Sequence, residues 1–341
     1  MIYVLIGLVF LIILYLIISL LIYRAIFNTR NNGSSKLKYF TEKDFKGLKS
    51  KEFSFKSNKK QNLEGKIYYY ENKEYLGLLV FVHGIGAGHL AYTTEINHFA
   101  ELGFIVLSYD NTGSGISEGK TIVGFSQRVL DLKYCLDYVS KNSELNKYKI
   151  VLCGHSWGAF AAMNILNYDY DVKAVVALAG FAKASTAYTK VISRLVNPVL
   201  GIFGFGMSLI EIIKFGKVAN FSAFKGFKKN KSKVLFVYGK KDIMLDFKDF
   251  EKNQFNNVKV ISLNTKGHRV NITDEAVIYD YQREKDLSIL KQKYHNNIPK
   301  DIEKYYYDNL DYDLLVKLDA NVMKKIDDFL IQEIKKQESL V

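Results

Sequence analysis

The chain begins with 22 consecutive uncharged residues, Ile2 to Tyr23, nearly all of them apolar. A helix of this length spans about 33 Å, enough to cross a hydrocarbon core of about 30 Å. A cleaved signal peptide is the alternative interpretation. However, no basic stretch precedes the run, the run exceeds the usual signal length, and no clear small-residue cleavage site follows. The pattern therefore predicts a retained transmembrane anchor over residues 1–24.

The charges beside this anchor predict its orientation. The first basic residues all follow it, at Arg24, Arg30, Lys36 and Lys38. Positive charge collects on the cytoplasmic flank of membrane helices, so we expect a single-pass protein of the cell membrane with its bulk in the cytoplasm. Two free cysteines, Cys135 and Cys153, are compatible with that reducing compartment.

After the anchor, short apolar runs alternate with helical patterns such as Phe125–Lys141 and Trp157–Asn167. Several runs are almost continuously apolar, as expected of strands buried on both faces of a sheet. This alternation favours an α/β fold with a mostly parallel sheet flanked by helices. Eight strands are predicted, over Lys51–Lys56, Gly65–Tyr70, Leu76–Val82, Phe104–Tyr109, Lys149–Cys153, Val172–Leu178, Lys233–Tyr238 and Val258–Leu263.

Two stretches are longer than this alternation requires. Residues 181–231 are apolar and rich in glycine, and residues 271–317 are polar and rich in tyrosine. We predict both as insertions over one end of the sheet, followed by an amphipathic helix over Asp319–Lys336. The predicted organisation is an anchor (1–24), a polar linker and lead-in (25–50), and one α/β domain (51–341) that carries both insertions.

Composition excludes several classes of protein. With 48% hydrophobic and 14% aromatic residues, the chain can bury a large core, and two cysteines cannot form a disulfide scaffold. The net charge of +13 comes mostly from lysine, whereas base-reading proteins depend on arginine, so nucleic acid is not an expected partner. The excess is concentrated in residues 24–75 and 212–241, which fits either solvated lysines or attraction to an anionic membrane surface.

The strongest chemical signal is Gly154-His155-Ser156-Trp157-Gly158, between a predicted strand and a predicted helix. In that context G-x-S-x-G indicates a nucleophile elbow, in which a strained serine needs glycine neighbours that pack without side chains. Ser156 is the candidate nucleophile.

A serine hydroxyl needs a base to accept its proton, and the base needs a carboxylate to orient it. His268 follows the last predicted strand, at the same sheet edge as Ser156, and is the candidate base. Asp242 follows the strand before it and is the candidate acid, because no acidic residue follows the earlier strand at Gly180. Asp246 and Asp249 remain alternatives.

Backbone amides must stabilise the developing oxyanion. Trp157, directly after the nucleophile, is expected to supply one, and Ile85, in the glycine-rich loop after an earlier strand, the other. A phosphate-binding loop is the alternative reading of those glycines, but the spacing lacks G-x-G-x-x-G and a Walker lysine.

Together these residues, in the order Ser, Asp, His, resemble the α/β-hydrolase superfamily, in its serine aminopeptidase and monoacylglycerol-lipase-like branch. The segment Asp110 to Gly119 is similar to the family's D-x-R-G-x-G-x-S-x-G turn, with Thr112 where arginine is usual. In the family this turn is mainly architectural. The resemblance covers about residues 50–180 and 232–270 and the final helix.

The resemblance implies a serine hydrolase that cleaves carboxylic esters, small or lipid-derived, through an acyl-enzyme, without a metal or organic cofactor, and the predicted anchor would tether it to the membrane. The same machinery also serves aminopeptidases, thioesterases and acyltransferases, so these remain open. A non-catalytic membrane-anchored scaffold is the third hypothesis. The sequence leaves the oligomeric state and the substrate undetermined.

Overall fold

A computed structural model describes residues 1–71, 74–195, 198–243 and 247–335. Its centre is one eight-stranded sheet in the order β1-β2-β4-β3-β5-β6-β7-β8. β1 and β2 pair antiparallel, β2 pairs antiparallel with β4, and the other pairs are parallel. The predicted mostly parallel sheet is confirmed. The strands are β1 Leu48–Lys56, β2 Asn62–Tyr70, β3 Gly77–Val82, β4 Phe104–Tyr109, β5 Ile150–His155, β6 Val172–Leu178, β7 Lys233–Gly239 and β8 Val258–Leu263.

Burial explains the strand order. Every residue of β3 and β4 is buried, as expected for apolar strands covered by helices on both faces. β8, by contrast, has alternating exposed positions at one edge of the sheet. The helices are α1 Ile2–Phe27, α2 Thr93–Leu102, α3 Phe125–Lys141, α4 Trp157–Asn164, α5 Ala184–Leu195, α6 Gly204–Phe215, α7 Ala223–Lys229, α8 Lys248–Lys252, α9 Asp274–Lys293, α10 Lys300–Asp308, α11 Tyr312–Leu315 and α12 Ala320–Lys335.

The two predicted insertions are helical. Residues 181–231 contain α5, α6 and α7, with a short 3₁₀ helix over Pro198–Phe203 between the first two. Residues 271–317 contain α9, α10 and α11, and an isolated bridge between Ile272 and Leu318 brings their two ends together. α12 follows within one residue of the predicted start, and Lys336, its predicted end, lies outside the described residues.

The amino-terminal helix differs from the prediction at its carboxyl end. α1 continues three residues past the predicted boundary at Arg24, and Tyr23 and Phe27 are buried in the main core. The rest of α1 is almost entirely exposed and is long and apolar enough to cross a membrane. Thus the helix is attached to the α/β domain by its last turns.

The predicted linker makes specific contacts. The Asn31 amide donates to the Gly113 carbonyl at 2.8 Å, and the Arg30 guanidinium donates to the Gly115 and Gly119 carbonyls at 2.8 and 2.6 Å. A planar guanidinium satisfies several carbonyls of one turn at once, which explains why a polar segment is held here.

Candidate active site

The elbow sequence forms a sharp turn between β5 and α4. Ser156 adopts φ 55° and ψ −113°, a backbone conformation that side chains rarely tolerate. Its amide donates to the Leu178 carbonyl at 2.8 Å, which holds the turn against β6. A Cβ on Gly158 would overlap the Val82 carbonyl oxygen, so the two glycines let the elbow approach β3.

The structure brings the three predicted side chains together. Ser156 Oγ lies 2.9 Å from His268 Nε2, and His268 Nδ1 lies 2.7 Å from Asp242 Oδ2. The Asp242 side chain is fully buried and that of His268 is partly exposed, whereas Ser156 as a whole is only 4% exposed. This geometry lets a hydroxyl pass its proton to an imidazole that a carboxylate orients.

The alternative acids occupy other positions. Asp249 lies exposed on α8, while the Asp242 carboxylate occupies the Nδ1 side of His268. Asp246 lies outside the described residues.

The two predicted oxyanion donors lie on segments that meet at the elbow. Trp157 is the first residue of α4, and the first amides of a helix have no acceptor within it. Ile85 follows Gly84, where a Cβ would lie 3.1 Å from the His155 carbonyl oxygen. The loop after β3 is therefore packed directly against the elbow, the arrangement that an oxyanion site requires.

Comparisons with known proteins agree with this fold. Residues 73–220, less than half of the chain, match a family model described as "Serine aminopeptidase, S33". The chain has the α/β-hydrolase fold.

Individual relatives are distant. The probable aminopeptidase YbaC of Bacillus subtilis (strain 168) is 31% identical over 100 residues, so the match spans 28% of this chain and less than a third of that protein's length, 31%. The Pyrococcus furiosus esterase Pf2001 is 17% identical with a TM-score of 0.55, over 77% of this chain and 98% of that chain. An acetyl xylan esterase from Paenibacillus sp. R4 is 15% identical with a TM-score of 0.52, over 74% and 86% of the respective chains.

A hydrogen-bond network that no sequence motif indicated supports the candidate base, His268. His155 Nε2 donates to the His268 carbonyl at 3.1 Å, and Tyr92 Oη donates to His155 Nδ1 at 2.9 Å. The Gly84 amide in turn donates to Tyr92 Oη at 3.2 Å. Burial lowers the pKa of His155 to about 3, so its ring stays neutral and the direction of each hydrogen bond is determined. The network therefore links the loop that carries His268 to the loop that carries Ile85.

The turn from Asp110 to Gly119 is architectural, as the resemblance implies. Asp110 Oδ1 accepts the His89 amide at 2.7 Å, and Oδ2 accepts the Ile116 amide at 2.9 Å. Thr112, at the family's arginine position, instead donates its hydroxyl to Asp131 at 2.8 Å. Beside this turn, the buried Arg128 guanidinium lies 5.5 Å from the centre of the Trp157 ring.

The last turn of α1 is part of the site's surroundings, which no sequence signal indicated. The Phe27 ring lies 5.7 Å from the Trp157 ring and 5.2 Å from that of Phe125. One turn earlier, Tyr23 Oη donates to the buried Glu211 carboxylate at 2.7 Å. The helix that continues the predicted anchor therefore ends against Trp157, the residue after the candidate nucleophile.

An open cleft of about 940 Å³ borders the acid side of the site. It lies between the first insertion and the end of β7, and its lining includes Pro198, Tyr238, Asp242 and Phe247 but neither Ser156 nor His268. Across the described ranges, no group of three His, Cys, Asp or Glu side chains is arranged to hold a metal ion.

Proposed function

We propose that the chain is a membrane-anchored hydrolase of carboxylic esters that uses Ser156, His268 and Asp242 as its catalytic triad. The observation that carries the proposal is the continuous hydrogen-bonded series from Ser156 Oγ through the His268 ring to the buried Asp242 carboxylate. An isolated serine hydroxyl is a poor nucleophile, and this series supplies the base that activates it.

In the proposed reaction, Ser156 Oγ attacks the ester carbonyl carbon while its proton passes to His268 Nε2. The amides of Ile85 and Trp157 donate to the oxyanion. When the tetrahedral intermediate collapses, the carbon–oxygen bond to the alcohol breaks, and the alcohol takes the proton from His268. Water then attacks the acyl-enzyme by the same route, which releases the acid and restores the serine.

We propose that the ester carries an acyl chain drawn from the bilayer. Phe27 lies four residues, about 6 Å along the helix axis, beyond Tyr23, the end of the apolar run, and its ring lies 5.7 Å from that of Trp157. A nucleophile next to Trp157 is therefore placed close to the membrane surface if α1 is inserted. The domain then faces the cytoplasm, because the basic flank follows α1.

An aminopeptidase is the second candidate, and the matched family and the Bacillus relative favour it. A peptidase needs an acidic group free to bind the substrate's amine. Glu211, the one acid of the first insertion, already accepts three hydrogen bonds from Tyr23, Tyr188 and Ser126. In the second insertion Asp274, Glu275, Asp280 and Glu284 pair with basic side chains, and Asp286 accepts from Gln282. These contacts favour the esterase.

Labelling with a fluorophosphonate probe tests the triad. We expect full-length protein in detergent to be labelled and Ser156→Ala to show none, with Ser140→Ala, an exposed serine on α3, labelled like the parent. A folded parent that resists labelling would support the scaffold hypothesis instead.

A substrate panel distinguishes the two enzymatic candidates. Turnover is compared among p-nitrophenyl esters of increasing chain length, monoacylglycerols and amino-acid arylamides. The proposal predicts preference for long-chain esters, whereas a preference for arylamides would establish the aminopeptidase.

Protease digestion of intact and opened cells tests the orientation of the protein in the membrane. Digestion of the α/β domain in intact cells would contradict the cytoplasmic assignment.

A further inference from the structure

In the first insertion, α5, the 3₁₀ helix over Pro198–Phe203 and α6 form a helical hairpin beside α1, described over residues 184–195 and 198–215. Tyr15 Oη donates to the Ile202 carbonyl at 2.9 Å, in the turn between α5 and α6, and the Tyr15 ring stacks on Phe203. Eight residues later, Tyr23 Oη donates to Glu211. Contacts that advance in the same direction along both helices mean that α6 runs parallel to α1, with the hairpin's turn at the level of Tyr15.

The polar groups near Tyr15 form hydrogen bonds with other groups of the protein. Tyr15 Oη also accepts the Gly206 amide at 3.1 Å, near the start of α6, where helix amides lack internal acceptors. Ser19 donates to the Tyr15 carbonyl at 2.8 Å, and Ser208 donates to the Gly204 carbonyl at 2.8 Å. Such internal pairing is required where no water is available.

Small residues form the contact between the two helices. Ser19 is fully buried, and a Cβ on Gly206 would overlap its hydroxyl, so the helix backbones approach closely. Close packing through glycine and serine is typical of helices that associate within a bilayer.

The hairpin's outer surface is apolar. Ile202 and Phe205 are 61% and 67% exposed, and Val199 is exposed beside them. They belong to a run of 16 residues without a charge, Leu195 to Ile210. The run is shorter than the roughly 20 residues that cross a membrane, so in lipid it suits partial insertion.

The position of Tyr15 along α1 determines the depth of that insertion. Tyr15 precedes Tyr23 by eight residues, which is about 12 Å along a helix. If the apolar run of α1 fills the hydrocarbon core, as the proposed anchor requires, the hairpin's turn lies about 12 Å below the point where α1 leaves it. At that exit the basic residues Arg24, Lys59 and Lys214 lie near one another, at the level of anionic headgroups.

We propose that the turn and the first half of α6 insert into the bilayer beside α1, as a second membrane-binding element formed by the hydrolase domain itself. The partner is the acyl-chain region of the cytoplasmic leaflet, which contacts Val199, Ile202 and Phe205. The proposal rests on the proposed membrane anchor and extends it, because one wall of the open cleft beside Asp242, at Pro198, then borders lipid. An acyl chain can enter from that side without crossing water.

Spin labels on the full-length protein in phosphatidylcholine–phosphatidylglycerol vesicles test this insertion. Ile202→Cys and Phe205→Cys report on the hairpin. Ile17→Cys, exposed on α1 and close to the level of Tyr15, is the lipid reference, and Ile278→Cys, exposed on α9, is the water reference. Cys135 and Cys153 are fully buried, so the unsubstituted chain gives the background.

Collision with oxygen, which concentrates in lipid, is compared with collision with a water-soluble nickel chelate. The ratio of the two collision rates gives a depth parameter for each label. We expect its value at the two hairpin positions to match that at Ile17, in lipid, and not that at Ile278, in water. Labels there that collide mainly with nickel, while Ile17 collides with oxygen, would overturn the insertion and leave the anchor intact. Labels shielded from both reagents would also overturn it, in favour of a second copy of the chain covering the hairpin. A water-exposed label at Ile17 would contradict the anchor itself.

Discussion

His268 is held by its ring and by its backbone, and each contact comes from a different part of the chain. Asp242 accepts its Nδ1–H at 2.7 Å, and His155 donates to its carbonyl at 3.1 Å. The first contact stabilises the tautomer that leaves Nε2 free for Ser156, whereas the second positions the loop. At this scale the proposed chemistry depends on two hydrogen bonds whose direction is determined by their acceptors, a carboxylate and a backbone carbonyl.

Replacing the acid tests the first contact. In Asp242→Asn we expect kcat to fall about 10⁴-fold, because an amide cannot hold the required tautomer or stabilise the imidazolium. Hydrolysis of a short water-soluble ester measures the loss. Asp249→Asn, on the exposed face of α8, is the matched control and should behave like the parent. Equal activity of both variants would refute the assignment of Asp242.

Two buried histidines predict a dependence of stability on pH. Burial lowers the pKa of His83 and of His155 to about 3. Between pH 6.5 and 3 the unfolded chain therefore binds protons at these rings that the folded chain does not. Their contribution to stability is present above pH 6.5 and is lost as the pH falls, by about 1.4 kcal/mol per unit for each histidine.

Chemical unfolding in detergent between pH 7.5 and 5 measures this effect. His83→Gln should reduce the slope of unfolding free energy against pH, whereas His295→Gln, on the partly exposed turn after α9, should leave it unchanged. An unaltered slope in His83→Gln would mean that this ring is protonated in the folded protein.

Between elements, close approaches of backbone decide how the elbow and the first insertion are positioned. The start of α4 packs against the end of β3 only because Gly158 carries no side chain. On the opposite side, Glu211 joins α6 to α1, α3 and α5 through Tyr23, Ser126 and Tyr188. Four helices thus share one buried carboxylate.

Adding a methyl group at the elbow should be costly. Gly158→Ala places a Cβ against the Val82 carbonyl, and we expect a loss of about 3 kcal/mol or more because backbone atoms must move. Gly267→Ala is the control, since its nearest neighbour would be the Lys241 carbonyl at 4.0 Å. Thermal unfolding of both variants makes the comparison, and similar midpoints would show that the elbow has room.

Removing the shared carboxylate should loosen the first insertion. Glu211→Leu removes the acceptor of the Tyr188 hydroxyl and of the Ser126 amide, whereas Tyr23 Oη keeps the Val123 carbonyl at 2.8 Å; each buried unpaired group costs about 1–3 kcal/mol. We expect faster proteolysis within residues 184–215 and a lower unfolding temperature. Glu144→Leu, which removes an exposed ion pair with Lys51, should change neither the proteolysis rate nor the unfolding temperature. Cleavage of Glu211→Leu at the parent rate would show that Glu211 does not hold the four helices together.

At the scale of the whole molecule, α1 has two parts with different roles. Residues 2–14 are exposed along their length, whereas Tyr15, Ser19, Tyr23 and Phe27 contact the domain. The helix is therefore both a candidate membrane span and a component of the folded domain. Its removal uncovers aromatic side chains beside Trp157.

Two truncations separate these roles. Deleting residues 2–14 should preserve hydrolysis of a short soluble ester in detergent, because the contacts with the domain remain. Deleting residues 2–27 should lower the unfolding temperature and the activity, because Trp157 and Tyr188 lose the Phe27 ring that packs on them. Equal behaviour of the two truncated proteins would show that the end of α1 does not support the site.

The sequence alone determined the features that local pattern encodes. Apolar runs located all eight strands, and the length of the first run identified a helix able to span a membrane. The elbow motif and chain order identified the three side chains that the structure brings within hydrogen-bonding distance. These features were predictable because strand burial, helix length and a strained turn each constrain residues that are close in sequence.

Only the tertiary structure decided what surrounds the site. The Tyr15–Ile202 contact joins residues 187 apart, and the contact between His155 and the His268 carbonyl joins residues 113 apart. An apolar or polar pattern tells which face of an element needs covering, but not which distant element covers it. For that reason the sequence indicated an anchor that ends at residue 24 and a linker after it, whereas the folded chain continues the helix to Phe27 and packs that residue against Trp157, beside the candidate nucleophile.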